Sequence, residues 1–175
     1  ELCKFVVDKP LYIVARLSFA EANTDDANII FGVGEGFGAA DTLQDDAGGP
    51  LADYDGACFF KVDGGTRWQF ESSDGTSQTT TDLDYTAGQS GYQVLAIECL
   101  PLTSSEMLVT PWIDQNGGNN LIQCRENGVN ARCPAVQHRA TYAGAGEMAI
   151  CIGAKAGGAN AETSNVDLVA YQQTR

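Results

Sequence analysis

Residues 55–82 read DGACFFKVDGGTRWQFESSDGTSQTTTD, and the spacing of their apolar side chains decides the fold. Cys58, Phe60 and Val62 recur at every second position. So do Trp68, Phe70 and Ser72, with Arg67, Gln69 and Glu71 between them. Side chains alternate across an extended chain, so a period of two marks a strand with one face toward a core. Gly64-Gly65 and Asp74-Gly75 separate the runs, and both are turn-forming dipeptides. The run from Thr76 to Thr81 is rich in β-branched threonine, which suits a pleated surface. The spacing predicts three short strands, over 57–63, 66–72 and 76–81.

The same reading extends in both directions. Alternation or short apolar runs predict strands at 3–7, 11–19, 28–33, 92–100, 107–114, 119–123, 148–155 and 166–172, with a weaker one at 136–142. Helical periodicity is thin: Pro134 interrupts 130–141, and at most a single helical turn is expected there or near 41–47. About a dozen short strands with turn-rich joints predict an all-β, two-sheet sandwich. The 175 residues suit one domain over 1–175.

The stretch IIFGVGEGFG, residues 29–38, superficially resembles a phosphate loop. A dinucleotide fingerprint needs G-x-G-x-x-G leading into a helix. Here glycines stand at 32, 34, 36 and 38, and no helical pattern follows. Gly32 and Gly34 fall on one face of a strand, and bare positions there admit a close backbone or an aromatic ring. Residues 35–56 then form a long, acidic, glycine-rich excursion, too polar to pack as a core strand and expected to leave one edge of the sandwich.

The net charge is −13, and it is lopsided. Residues 1–84 hold 16 acidic and 5 basic side chains, whereas 85–175 hold 7 and 5. Such a surface repels phosphate backbones, which argues against nucleic acid as a partner. No apolar run approaches the roughly 20 residues a membrane-spanning helix needs, and no membrane partner is expected. Six cysteines are present with no C-x-x-C pair and one histidine, so a Cys/His zinc site has little support. Cys58, Cys99 and Cys151 lie in apolar runs and read as small core hydrophobes. Cys124 and Cys133 flank a polar loop with an Asn127-Gly128 turn, a spacing that permits a disulfide in an oxidising compartment.

Few residues carry a chemical signal. His138 has no sequence context for a catalytic triad and reads as a surface or partly satisfied histidine. Carboxylates at i, i+2 occur as Asp53-x-Asp55, read as loop, and Asp82-x-Asp84, read as a threonine-rich turn, so a glycan hydrolase has weak support. Asp45, Asp46, Asp53 and Asp55 cluster in the excursion as hard oxygen ligands for Ca²⁺, without a ligand ladder. Trp68 shares a face with Phe70 and reads as core. Trp112, beside a turn at Asn116-Gly117-Gly118, and Tyr54, in the acidic excursion, are the aromatic candidates for glycan or partner contact.

Taken with PLYIVARLSF…NIIFGVGE, GYQVLAIEC and MAICIGAKAGGANAETSNVDLVAYQQ, the 55–82 stretch resembles a concanavalin A-like (laminin-G-like) jelly roll. In detail (apolar-Lys-Asp-Gly, Trp-Gln-Phe, a threonine run, Val-Asp-Leu-Val) it is similar to jelly-roll domains of tailed-phage decoration or cement proteins. That resemblance implies a non-enzymatic virion protein on the capsid surface, partnered by a major capsid or other virion protein and homo-oligomeric on a symmetric shell. The alternative from the same fold is an extracellular, lectin-like carbohydrate-binding module, with or without Ca²⁺; a third is a glycan hydrolase. One fold hosts all three, so the choice rests on the site.

Overall fold

A computed structural model describes residues 3, 6, 9–21, 26–37, 42–44, 48–88, 91–129, 135–142, 146–158 and 162–173. These form eleven strands: β1 Leu11–Ala20, β2 Ala27–Gly34, β3 Asp55–Lys61, β4 Arg67–Asp74, β5 Gln78–Thr86, β6 Gln93–Pro101, β7 Glu106–Asp114, β8 Ile122–Gln123, β9 His138–Thr141, β10 Ala149–Ala156 and β11 Thr163–Gln173. The described residues contain no helix, and 135–142, expected to hold at most a helical turn or a weak strand, supply β9. Of the predicted first strand, Cys3 and Val6 are described, in single bridges to Met148 and Lys9.

The strands make two antiparallel sheets. One runs β11-β1-β6-β7-β8, with β9 also on β7; the other runs β10-β2-β3-β4-β5. Their inner faces share one core. Leu11, Ile13, Ala15 and Leu17 of β1 and Leu95, Ile97 and Cys99 of β6 meet Ile29, Phe31 and Val33 of β2, Phe59 of β3 and Trp68 and Phe70 of β4. Phe59 sits edge-on to both Trp68 and Phe70, and the Trp68 indole N–H donates to Gln93 Oε1 at 2.9 Å. The turns fall where glycine permits a left-handed backbone: Gly64, Gly75 and Gly128 all have φ near +76°. This is the two-sheet sandwich the sequence predicts.

The described part of the 35–56 excursion supplies no strand before β3, as the sequence leads one to expect, yet it packs closely. Phe37, Leu43 and Tyr54 are buried against Ile30, Cys58 and Phe60 in a second, smaller core on the outer face of the five-stranded sheet. The Phe37 and Tyr54 rings lie 4.8 Å apart. The glycine alternation makes room for this cover: a Cβ on Gly34 would stand 3.1 Å from the Phe37 ring. A Cβ on Gly32 would stand 2.3 Å from Cys58 Cβ and 2.6 Å from the Ala57 carbonyl, so β3 itself lies close there.

His138 is a correction to the sequence reading. It is buried between the sheets on β9, sharing hydrogen bonds with Ser72 (Nδ1, 3.0 Å) and Thr81 (Nε2, 2.9 Å) and tilted on the Phe70 ring. Its polar sequence neighbours Gln137 and Arg139 hid this role in the sequence. Burial lowers its pKa from 6.5 to about 4.

The two sides of the sandwich differ. Beyond β5, residues 124–127 continue the sheet through Asp84 N–Arg125 O and Asn127 N–Asp82 O hydrogen bonds. At the other side β11 is an edge strand, and Val166, Leu168, Val169 and Tyr171 all stay over 40% exposed.

Two outcomes follow from this packing. Gly32→Ala forces backbone apart and should lower stability in urea unfolding by about 3 kcal/mol, whereas Gly34→Ala, which meets a ring able to shift, should cost about 1 kcal/mol. The unfolded chain protonates His138 near pH 6.5 and the folded chain only near 4. The stability from neutral His138 is therefore complete above pH 6.5 and lost as pH falls through 4, by about 3 kcal/mol in all. Subtracting the pH profile of His138→Gln from that of the unsubstituted chain should reveal that step.

Candidate ligand groove

The outer face of the six-stranded sheet carries a cavity of about 560 Å³, large enough for a small organic group. Strand register builds it. Ala170, Val14, Ala96 and Trp112 lie side by side on β11, β1, β6 and β7, because Val14 pairs with both Ala170 and Ala96, and Ala96 pairs with Trp112. The neighbouring row is Gln172, Tyr12, Glu98 and Thr110. A floor of small side chains thus runs across three strands. Tyr12 and Glu98 rise along one side, and Trp112 stands at the end.

The bulky groups are held in place. The Trp112 indole N–H donates to Glu98 Oε2 at 3.3 Å, so the ring is anchored by its polar end while remaining half-buried. Tyr12 is 40% exposed. Leu121 reaches the rim from the 115–120 turn, which Asp114 fixes by accepting from Asn116 N and Asn120 N, both at 2.9 Å. Those bonds hold the Asp114 carboxyl below its usual pKa. Arg16, one row beyond the floor, donates to Gly117 O at 3.1 Å, lies 4.1 Å over the Tyr92 ring and pairs with Asp167. The groove lining itself holds one carboxylate and no cation. Such a surface offers aromatic faces, a carboxylate and an amide to an uncharged, hydroxyl-rich ligand, and disfavours an anion.

The candidates from the sequence fare differently. Trp112 stands in the groove, within β7 and not in the turn that follows it. Tyr54 is buried beneath the excursion, its hydroxyl 3.2 Å from Glu71 Oε1 and 3.3 Å from Cys58 Sγ, so its ring is not presented to a ligand. Burial raises the Glu71 carboxyl above its usual range, against the hydrogen bonds from Thr80 and Tyr54. Asp45, Asp46 and Cys133 lie outside the described residues. Asp53 is exposed, with φ at +58°, and Asp55 opens β3, its pKa raised by burial and by the charges of Glu35 and Asp74. Among the described residues no group of three or more His, Cys, Asp or Glu side chains is placed to hold a metal. Cys124 is buried, and burial pushes its thiol up.

Asp82 and Asp84 stand within β5 and not in a turn. Both are exposed at the sheet's edge, where Gln69 Nε2 donates to Asp82 at 2.7 Å and Arg67 pairs with Asp84 at 2.8 Å. His138 faces the core with hydroxyl partners and no carboxylate. Neither arrangement faces the groove.

Sequence reading missed Tyr12, Glu98, Ala96, Ala170 and Gln172 as a group. The available signal was surplus apolarity: in Leu11–Leu17 and in Val166–Tyr171, apolar residues occupy both faces of the strand, where a one-sided strand would alternate with polar ones.

No protein-family model matches the chain, and no curated protein sequence matches it. Among solved structures, the chain is similar to the carbohydrate recognition domain of Emp47p, with a TM-score of 0.53 and 14% identity over 96% of this chain and 73% of that one. At that identity the likeness concerns the fold. The likeness found is to a carbohydrate recognition domain, and nothing among the comparisons carries the resemblance to phage capsid proteins. The chain folds as a concanavalin A-like sandwich of two antiparallel sheets.

Proposed function

We propose that this chain is a non-catalytic carbohydrate-binding module whose ligand is a neutral, flat glycan seated in the outer groove of the six-stranded sheet. The observation that carries the reading is the row Ala170–Val14–Ala96 ending at Trp112, with Tyr12 and Glu98 beside it. A pyranose ring with equatorial hydroxyls has two apolar C–H faces. One face fits a floor of small side chains and stacks on an aromatic ring, while its rim of hydroxyls meets Glu98 and Gln172. The lining supplies no cation for an acidic sugar. The carbohydrate recognition domain of Emp47p supports the reading to the extent that this fold serves glycan binding elsewhere.

A second reading keeps the virion role, with the chain outside the cell as part of a capsid surface and a major capsid protein as its partner. The exposed apolar strand β11 supports it, because a repeating shell rewards edge contacts that are individually weak.

Binding to an array of neutral and acidic glycans separates the two. The glycan reading predicts binding to neutral β-linked glycans, weakened by Trp112→Ala roughly tenfold or more, as loss of one aromatic stacking partner entails. It also predicts no change on adding a chelator. Absence of any glycan binding together with copurification on capsids would favour decoration, and loss of binding on chelation would return attention to the loop holding Asp45 and Asp46.

A further inference from the structure

The groove crosses the strands, and its sides advance strand by strand. β11 contributes Ala170 to the floor and Gln172 to the flank, β1 contributes Val14 and Tyr12, and β6 contributes Ala96 and Glu98. Residues two apart share a face of the sheet, so each strand offers one small side chain with one polar group beside it. Neighbouring strands stand ~4.8 Å apart, which gives the floor room for about three pyranose rings in a row. The two ends differ. Trp112 stands across one, its indole held by Glu98, and Leu121 reaches the rim there from just before β8, whose Gln123 pairs with Trp112. The turn leading to Leu121 is fixed: Asp114 accepts from Asn116 N and Asn120 N, Arg16 donates to Gly117 O, and Gly117 has no room for a Cβ beside the Tyr92 carbonyl. At the other end Ala170 lies on β11, and among the described residues no strand pairs with the outer side of β11.

We infer that the groove takes the non-reducing end of a linear, neutral β-1,4-linked glycan, with the terminal ring against Trp112 and Glu98 and the chain leaving over Ala170. The inference rests on the glycan reading and adds the linkage, configuration and polarity of the ligand. A β-1,4 link between equatorial oxygens gives a straight ribbon whose advance per ring is close to the strand spacing of ~4.8 Å, so each ring meets its own flank group. An α-1,4-linked chain coils away from a straight floor. Successive rings of the ribbon are turned over, so both faces of the sugar meet the floor along its length. An axial hydroxyl, as in mannose or galactose, would press on alanine or valine side chains without a hydrogen-bond partner, at a cost in desolvation. All-equatorial glucose or xylose presents only C–H groups there.

The closed end selects which terminus enters. In such a chain the non-reducing terminal ring carries a free O4 beside O3, an equatorial pair spaced to donate to one carboxylate; in every internal ring O4 is linked onward. The Glu98 carboxylate accepts one hydrogen bond from Trp112 and has sites for about four, so capacity remains for that pair. The reducing-end ring interconverts between anomers, and one of them sets an axial O1 on the face that meets the floor. A glycan attached to a carrier by its reducing end also has only its other end to offer to a groove closed at Trp112.

Calorimetric titration of the full chain with cello-oligosaccharides tests this. Affinity should rise from cellobiose to cellotriose and then stay level, within about twofold, to cellohexaose. Methyl β-cellotrioside, blocked at the reducing end, should bind like cellotriose. Cellotriose methylated at its non-reducing O4 should bind about tenfold more weakly or worse, and so should β-1,4-mannotriose. Cellotriose carrying a spin label at its reducing end should broaden the amide signals of Ala170 and Gln172 more than the Trp112 indole signal. Affinity that keeps rising to cellohexaose, an O4-methylated sugar that binds as tightly as cellotriose, or a label that broadens the Trp112 indole most overturns the terminal placement. Mannotriose that binds as tightly as cellotriose overturns the configuration. Each of these leaves the glycan reading standing. If no cello-oligosaccharide binds but another neutral glycan does, and Trp112→Ala abolishes that binding, the inference falls alone; absence of binding to any neutral glycan overturns the reading on which it rests.

Discussion

The Phe37 ring lies on the bare face of Gly34, 3.1 Å from where a Cβ would stand, and that contact determines which surfaces of the protein remain open. A two-sheet sandwich has four faces. Two are consumed in the shared core, where each apolar side chain contributes on the order of 1.5–3 kcal/mol by leaving water. The third, the outer face of the five-stranded sheet, carries Ile30, Cys58 and Phe60 and would be costly to leave wet. The excursion returns over it with Phe37, Leu43 and Tyr54, and alternating glycines on β2 permit the close approach. Among the described residues the fourth face receives no such cover. It keeps Tyr12 and Trp112 at the surface, and there the groove forms.

The buried ionisable groups Lys61, His138 and Glu71 are matched to partners, whereas the buried Asn28 Nδ2 and Ser73 Oγ have no hydrogen-bond partner among the described residues. Lys61 is fully buried at the end of β3, where it pairs with Glu21 and donates to the Ala27 carbonyl at 2.9 Å. Those bonds tie the end of β1 to the start of β2, since Glu21 also accepts from Ala27 N. His138 and Glu71 follow the same logic on the two faces of the five-stranded sheet, one kept neutral between hydroxyls and the other held by Tyr54, Thr80 and Gln78. A buried ionisable group tolerates its surroundings only when its remaining hydrogen-bonding capacity is met. These groups therefore belong to the scaffold and do not present a reacting atom to a cleft.

Much of the scaffold was legible in the sequence. The alternation through Trp68 and Phe70, the glycine turns at 64 and 75, and the glycine stripe at 32 and 34 were each readable from short windows, whereas the strand before them turns Phe59 to the shared core and Cys58 and Phe60, the face read from the sequence, to the outer one. Burial of Tyr54 and His138 was not legible, because it depends on segments far apart in the chain: the excursion folding back over β3, and β9 crossing to meet Ser72 and Thr81. Trp112 was legible as an aromatic of interest. The groove was not, because its floor is assembled by register from three alanine or valine positions on three strands, and no short window contains it. The doubled apolar faces of β1 and β11 were the trace it left.

The proposed glycan binds at the fourth face, on Trp112. The chain has two tryptophans, so a nitrogen–proton correlation spectrum holds two indole signals, one from the groove and one from the core. On titration with cellohexaose the Trp112 indole should shift, and the Trp68 indole, enclosed in the core and bonded to Gln93, should stay fixed. A Trp112 signal that does not move while backbone signals around Asp53 and Asp55 do would contradict the claim and place binding at the acidic excursion instead.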